Sequence, residues 1–302
     1  METITDKLIQ IGGLTHSRDI DYVIDGGDVF DRKSPALNSH GMVRLIADIH
    51  NKHYKCPVYC NVGNHDCIHG DLQHIDSQPL GVLFATGQFK RLYNENELII
   101  EKAGIKVRVV GVPYHGVRYD LKRLDIKKKD EDFLVVNAHL LASKYGRAMF
   151  ESEDIIPYSE LVGLDADVMC FGHWHKDQGI TEIAKNKYVV NVGSLTRGAL
   201  AEDHLTRNPC VVSLMFSQEG IKIERIDLRV KPSSECFDLE KKEKNREREE
   251  SKEAINSVIS LLKNVNYSEK HSSLYDDIRG MNLKQNLKER AILFLEEAEK
   301  DA

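Results

Sequence analysis

No apolar run in the 302-residue chain approaches the length of a membrane span, and its first residues lack the apolar core of a signal peptide. The sequence therefore reads as that of a non-membrane protein, with the cytoplasm as its expected location. It also lacks any C-x-x-C pair. Its six cysteines (Cys56, Cys60, Cys67, Cys170, Cys210 and Cys236) fall mostly in strand-like runs, as buried reduced thiols of a cytosolic protein do. Positive charge is not in excess either. The net charge of −6 gives no global field that would attract nucleic acid, although a local basic groove would suffice, because only charge near the phosphates counts.

The composition, 41% apolar and 30% charged, belongs to a globular protein with one unusually charged portion. Periodicity predicts a helix over residues 2–14, stopped by Gly12-Gly13, then a strand at 22–25, a helix at 42–50 and a strand at 57–62. That alternation implies parallel strands with crossover helices. Residues 97–101 and 106–111 form an expected hairpin turned at Ala103-Gly104, and 122–132 a charged, solvated loop or short helix. Further strands are expected at 133–136, 167–171, 187–192, 210–216 and 221–228, with a helix near 158–163. After Pro232 the composition shifts. Residues 239–253 are almost wholly charged or polar, and two amphipathic helices follow, one carrying Ile255, Val258, Ile259 and Leu262, the other Leu283, Leu287, Ala291 and Phe294. The expected organisation is a catalytic-type domain over 1–230 and a charged linker with helices over 231–302, a segment suited either to packing on the domain or to docking a partner.

Four clusters of ligand-type residues each follow a strand-like run: Gly27-Asp28-Val29-Phe30-Asp31, Gly63-Asn64-His65-Asp66, Asn137-Ala138-His139 and Gly172-His173-Trp174-His175. Such placement describes one site along one sheet edge. His173 and His175, one residue apart on extended backbone, would face the same point. Asp, Asn and His donors without thiolate suit Mn²⁺, Fe or Zn²⁺. Two such ions, about 3.5–4 Å apart, are suited to hydrolysing a phosphate ester. Isolated histidines such as His69, His115 and His204 read as structural or solvated.

These motifs, in this order, resemble the calcineurin-like metallophosphoesterase superfamily. Gly27-Asp28-Val29-Phe30-Asp31 with Ser34-Pro35, and Gly193-Ser194-Leu195-Thr196-Arg197, are similar to SbcD-type DNA repair nucleases and their phage recombination relatives. The resemblance implies an α/β fold, a metallophosphoesterase-type β-sandwich flanked by helices, here with its first strand absent and a C-terminal helical extension. It implies two divalent ions, Mn²⁺ first. Asp28 resembles the bridging ligand, Asn64, His139 and His173 the ligands of one ion, and His175 a ligand of the other. His65 resembles the non-ligand histidine that meets the phosphate or protonates the leaving oxygen, oriented by Asp66, while Asp31 braces the loop. DNA as substrate, an SbcC-like coiled-coil ATPase as partner and a homodimer are implied in the same way. The departure is the family's opening Asp-x-His, which is missing before Asp28 and leaves one ion with only Asp28 and His175. A truncated product, a late start codon or a split gene would account for it. Two other readings follow: a small-molecule phosphodiesterase or phosphatase, and a non-catalytic subunit that keeps the fold.

Overall fold

The computed structural model describes residues 2–68, 71–146, 153–197, 206–236, 238, 271–280, 285, 288, 289, 292, 293 and 296. The chain divides into two compact units, Met1–Lys231 and Pro232–Ala302. In the second, helices Ser233–Cys236 and His271–Gly280 are described. The residues that carry the expected amphipathic pair (Ile255, Val258, Ile259 and Leu262, then Leu283, Leu287, Ala291 and Phe294), the 239–253 linker, His69 and His204 lie outside the described residues. No helix among the described residues is long and apolar enough to cross a membrane.

The first unit is a mixed α/β sandwich. Helix α1 (Glu2–Ser17) precedes β1 (Val23–Asp25), α2 (His40–His53) and β2 (Val58–Cys60), then α3 (Pro79–Ala85) and β3 (Phe89–Arg91). These strands form a parallel three-stranded sheet in the order β1-β2-β3, joined by crossovers that carry α2 and α3. Ser39 caps α2, its side chain accepting from the Met42 N–H.

A six-stranded sheet follows from β4 (Leu98–Lys102), β5 (Ile105–Val112), β6 (Phe133–Ala138), β9 (Val168–Phe171), β10 (Gly179–Ala184) and β11 (Lys187–Asn191), in the order β10-β11-β9-β6-β5-β4. Short β7 (Ala142–Ser143) and β8 (Ile156–Pro157) pair with each other, α4 (Tyr158–Leu161) follows, and β12 (Cys210–Ser217) with β13 (Gly220–Asp227) makes a hairpin.

Side-chain alternation shows how the layers stack. On β2, Val58 and Cys60 face α2 and α3, meeting Leu80, Leu83 and Phe84. Tyr59, between them, joins Ile24 in the layer shared with the larger sheet, where Val107, Val109, Val135, Val168 and Val190 meet Val212, Leu214 and Ile223 of the hairpin. The other face of β5 and β6, Val110, Val112, Leu134 and Val136, packs with Met169, Leu161 and Tyr158. Both faces of the larger sheet are thus covered, which is why its strands read as nearly unbroken apolar runs.

Two expectations need correcting. Gly12-Gly13 does not stop α1, which continues to Ser17; Gly12 instead lies where a Cβ would come within 2.7 Å of the His53 Cβ, so glycine is the residue that lets α1 cross the end of α2. The charged stretch 122–132 is not wholly solvated. Glu131, with its side chain 1% exposed, pairs at 2.8 Å with Arg108, itself 3% exposed on β5. Arg108 also reaches Glu97 and the Lys127 carbonyl, so the pair is buried but well bonded.

Candidate metal centre

The carboxyl ends of β1, β2, β6 and β9 all open on one edge of the sandwich. Two buried asparagines hold the sheets together there. Asn61 Nδ2 donates to the Val112 and Asn137 carbonyls at 3.0 and 2.8 Å, and Asn137 Nδ2 donates to the Asp25 carbonyl at 2.9 Å. Sequence patterning gave Asn61 no role and named Asn137 only as part of the His139 cluster, because an amide at a strand end looks like ordinary loop polarity until its partners on another sheet are known.

Beyond these stitches the loops press backbone to backbone. A Cβ on Gly27 would fall 2.5 Å from the Gly63 nitrogen, and one on Gly63 only 2.1 Å from Asp28 Oδ1. Asp28 itself has φ 59°, a left-handed conformation that Asp tolerates better than most side chains. Asp66 secures this contact: its carboxylate accepts the Asp28 N–H at 2.6 Å, the Gly63 N–H at 3.0 Å and the Phe30 N–H at 3.3 Å. Burial and the Asp28 charge push Asp66 up to about 7, against the pull of these donors. Asp66 therefore holds the Asp28 loop and does not orient the His65 ring, contrary to expectation. His65 Nδ1 is instead 2.6 Å from the Asp31 carbonyl, and the His65 N–H donates to Asp28 Oδ1 at 2.8 Å. Asp31 acts through this carbonyl, since its side chain is exposed beside Arg32.

Four of the predicted donors meet at one point. Ligand atoms of Asp28, His139 and His173 all lie within 4.8 Å of one another. Asn64 Oδ1 is 3.3 Å from His139 Nε2, and Asp28 Oδ2 is 3.2 Å from the same nitrogen. His139 Nδ1 donates to the Gly26 carbonyl at 2.7 Å, so in the neutral ring Nε2 carries the lone pair. That lone pair then faces two oxygens, and Asp28 Oδ2 is buried with no hydrogen-bond partner. Acceptors that converge in this way with no donor between them fit a divalent cation. Burial alone would lower the His139 pKa, but the Asp28 carboxylate outweighs it and raises it, while Asp28, opposed by its own burial, is drawn down to about 2.

His175 lies outside this cluster and is exposed. The reason is local. His173 has φ 73° and the Trp174 N–H returns to the Gly172 carbonyl at 2.9 Å, a tight γ-turn in place of extended backbone. The two-residue alternation that would have aligned His173 with His175 therefore does not apply. His115 is held within its own loop, Nδ1 at 3.1 Å from the Pro113 carbonyl.

The sequence profile of the calcineurin-like phosphoesterases matches residues 3–177, more than half of the chain. The chain belongs to this family. Calcineurin-like phosphoesterases hydrolyse phosphoester bonds with divalent metals, and the mixed α/β fold and the donor cluster are of that kind. No curated protein matches the chain significantly. Among solved structures, it is similar to the sulfate thiohydrolase SoxB of Thermus thermophilus, solved with glycerol, at 12% identity and a TM-score of 0.45, over 76% of this chain and 42% of that one. It is similar also to the NAD nucleotidase NadN of Haemophilus influenzae, at 15% identity and a TM-score of 0.44, over 74% and 48% of the two chains. A hypothetical protein from Thermus thermophilus matches at 15% identity and a TM-score of 0.43, over 76% and 94%. The chain thus spans less than half the length of the first two.

Proposed function

We propose that this calcineurin-like phosphoesterase is a metal-dependent phosphodiesterase that acts on DNA as the nuclease subunit of a repair or recombination complex, with Mn²⁺ as its preferred ion. One observation carries the hydrolase part: the convergence of Asp28, Asn64, His139 and His173 donors on one buried point. These four would hold the ion, which when bound supplies a hydroxide of lowered pKa and offsets charge on the phosphate oxygens. Asn64 completes the donor set without adding negative charge that would repel the substrate. His65, whose Nδ1 is committed to the Asp31 carbonyl, leaves Nε2 to deliver a proton to the leaving oxygen. The DNA part rests on the resemblance of the Gly27 and Gly193 motifs to SbcD-type nucleases. The same resemblance supports an SbcC-like coiled-coil ATPase docking on the segment after residue 231, and a homodimer.

A second reading has an observation of its own. A cleft of about 600 Å³ beside the centre, lined by Lys33, Asn64, Ile68, Tyr114, His115, Gly116 and Val117, is of small-ligand size and carries one lysine. With a net charge of −6, this favours a small phosphodiester over a long polyanion. The test is turnover of linear DNA and of bis(p-nitrophenyl) phosphate with Mn²⁺, using D28A as the control. DNA cleavage lost in D28A supports the nuclease. Cleavage of the small ester alone supports the second reading, and metal binding without turnover of either makes the chain a non-catalytic subunit.

A further inference from the structure

Glu153 stands beside the donor cluster although no motif includes it. Its Oε1 lies 3.0 Å from His173 Nε2, and both side chains are nearly buried, 13% and 12% exposed. The same oxygen accepts the Tyr119 hydroxyl at 2.7 Å, and that hydroxyl in turn accepts the Leu141 N–H at 3.1 Å. The following residue ties the segment down: the Asp154 N–H donates to the Val117 carbonyl at 2.9 Å, and its carboxylate accepts the Tyr119 N–H at 3.1 Å. The Tyr114 ring covers His173, with centroids 5.3 Å apart. Glu153 is thus a fixed acceptor rather than a mobile surface acid.

A carboxylate only accepts, so the hydrogen in the Glu153 contact belongs to His173 Nε2, and the neutral ring keeps its lone pair on Nδ1. His139 is held in the opposite tautomer by the Gly26 carbonyl and offers Nε2. We propose that Glu153 is a positioning residue for the metal centre: it fixes the Nε2–H tautomer of His173 and turns Nδ1 toward the ion shared with Asp28 and His139. Carboxylate partners of this kind also make the imidazole a stronger donor, and losing one typically costs about 10–100-fold in metal affinity.

This assignment rests on the reading of Asp28, Asn64, His139 and His173 as a metal site, and the experiment separates the two. Calorimetry with Mn²⁺ and the absorption spectrum with Co²⁺ are compared among the wild type, E153A, E153Q and D28A. Nitrogen NMR of the metal-free wild type and E153A, with histidine labelled, reads the His173 tautomer directly. The expected result is an Nε2-protonated His173 that becomes a tautomer mixture in E153A. Metal affinity should fall about 10–100-fold in E153A. E153Q, whose amide oxygen still accepts the Nε2–H, should recover part of it. Wild-type affinity and spectrum in E153A, or an Nδ1-protonated His173 in the wild type, overturns the assignment even if E153A is poorly folded. A loss in E153A as complete as in D28A, with a Co²⁺ spectrum of lower coordination number, also overturns it, since Glu153 would then be a ligand. Unimpaired metal binding by D28A removes the metal site itself.

Discussion

At the scale of single residues, two atoms decide whether the centre forms. The first is the hydrogen that Gly63 carries in place of a Cβ. An added methyl would sit 2.1 Å from Asp28 Oδ1 and 2.6 Å from the Asp28 nitrogen, and backbone at that distance has nowhere to go. G63A is therefore expected to displace the Asp28 carboxylate and reduce Mn²⁺ affinity at least 100-fold by calorimetry; affinity within a fewfold of wild type would show that the loop contact is dispensable. The second is the proton on His139. With Asp28 beside it, this imidazole is raised above its ordinary range and keeps its proton to higher pH than a free histidine. A metal ion must displace that proton, so proton and metal compete. Apparent metal affinity should fall as pH drops through the raised His139 value, by up to about tenfold per unit, and level off above it. Affinity that stays flat from pH 8 to pH 6 would mean that Nε2 is already free. Asp28, held down to about 2, remains ionised throughout this window and contributes nothing to the slope.

At the scale of elements, local chemistry was readable where the contact was local. The β4–β5 hairpin was legible because Ala103 and Gly104, at φ 52° and 76°, form the two-residue left-handed turn that suits strand twist. The ligand motifs were legible because each glycine and its ligand neighbour sit together at a strand exit. Glu153 was not, since a glutamate among polar neighbours gains meaning only from His173, Tyr119 and Leu141, which reach it from distant parts of the chain. The run through Gly12-Gly13 was misread for the same reason, the deciding neighbour being His53 on another helix. The Arg108–Glu131 pair makes the point energetically. Removing one partner leaves the other charge buried, so R108A should destabilise the fold by about 3–5 kcal/mol in urea unfolding. Replacing both, as in R108M/E131L, should cost much less. If the double variant is as unstable as R108A, then packing rather than charge compensation governs the site.

At the scale of the whole molecule, the question is how many ions the chain holds. The sandwich delivers Asp28, Asn64, His139 and His173 to one point, and three of them are fixed by a neighbour: Asp28 by the Asp66-bonded loop, His139 by the Gly26 carbonyl and His173 by Glu153. On the reading of Asp28 as a shared ligand, a second ion would have Asp28 and His175, which stands exposed outside the cluster. Four well-positioned donors on one side against two on the other predict unequal affinities, because each missing ligand must be replaced by water that was already bound in solution. Calorimetry of the chain should therefore show one tight Mn²⁺ per chain and a second at least 100-fold weaker, with hydrolysis, where it occurs, rising only as the weak site fills. H175A should leave the tight event unchanged while abolishing the weak one, whereas H139A should remove the tight event. Two equally tight ions in the wild type would require donors for the second ion beyond Asp28 and His175, and the one-sided site described above would be wrong.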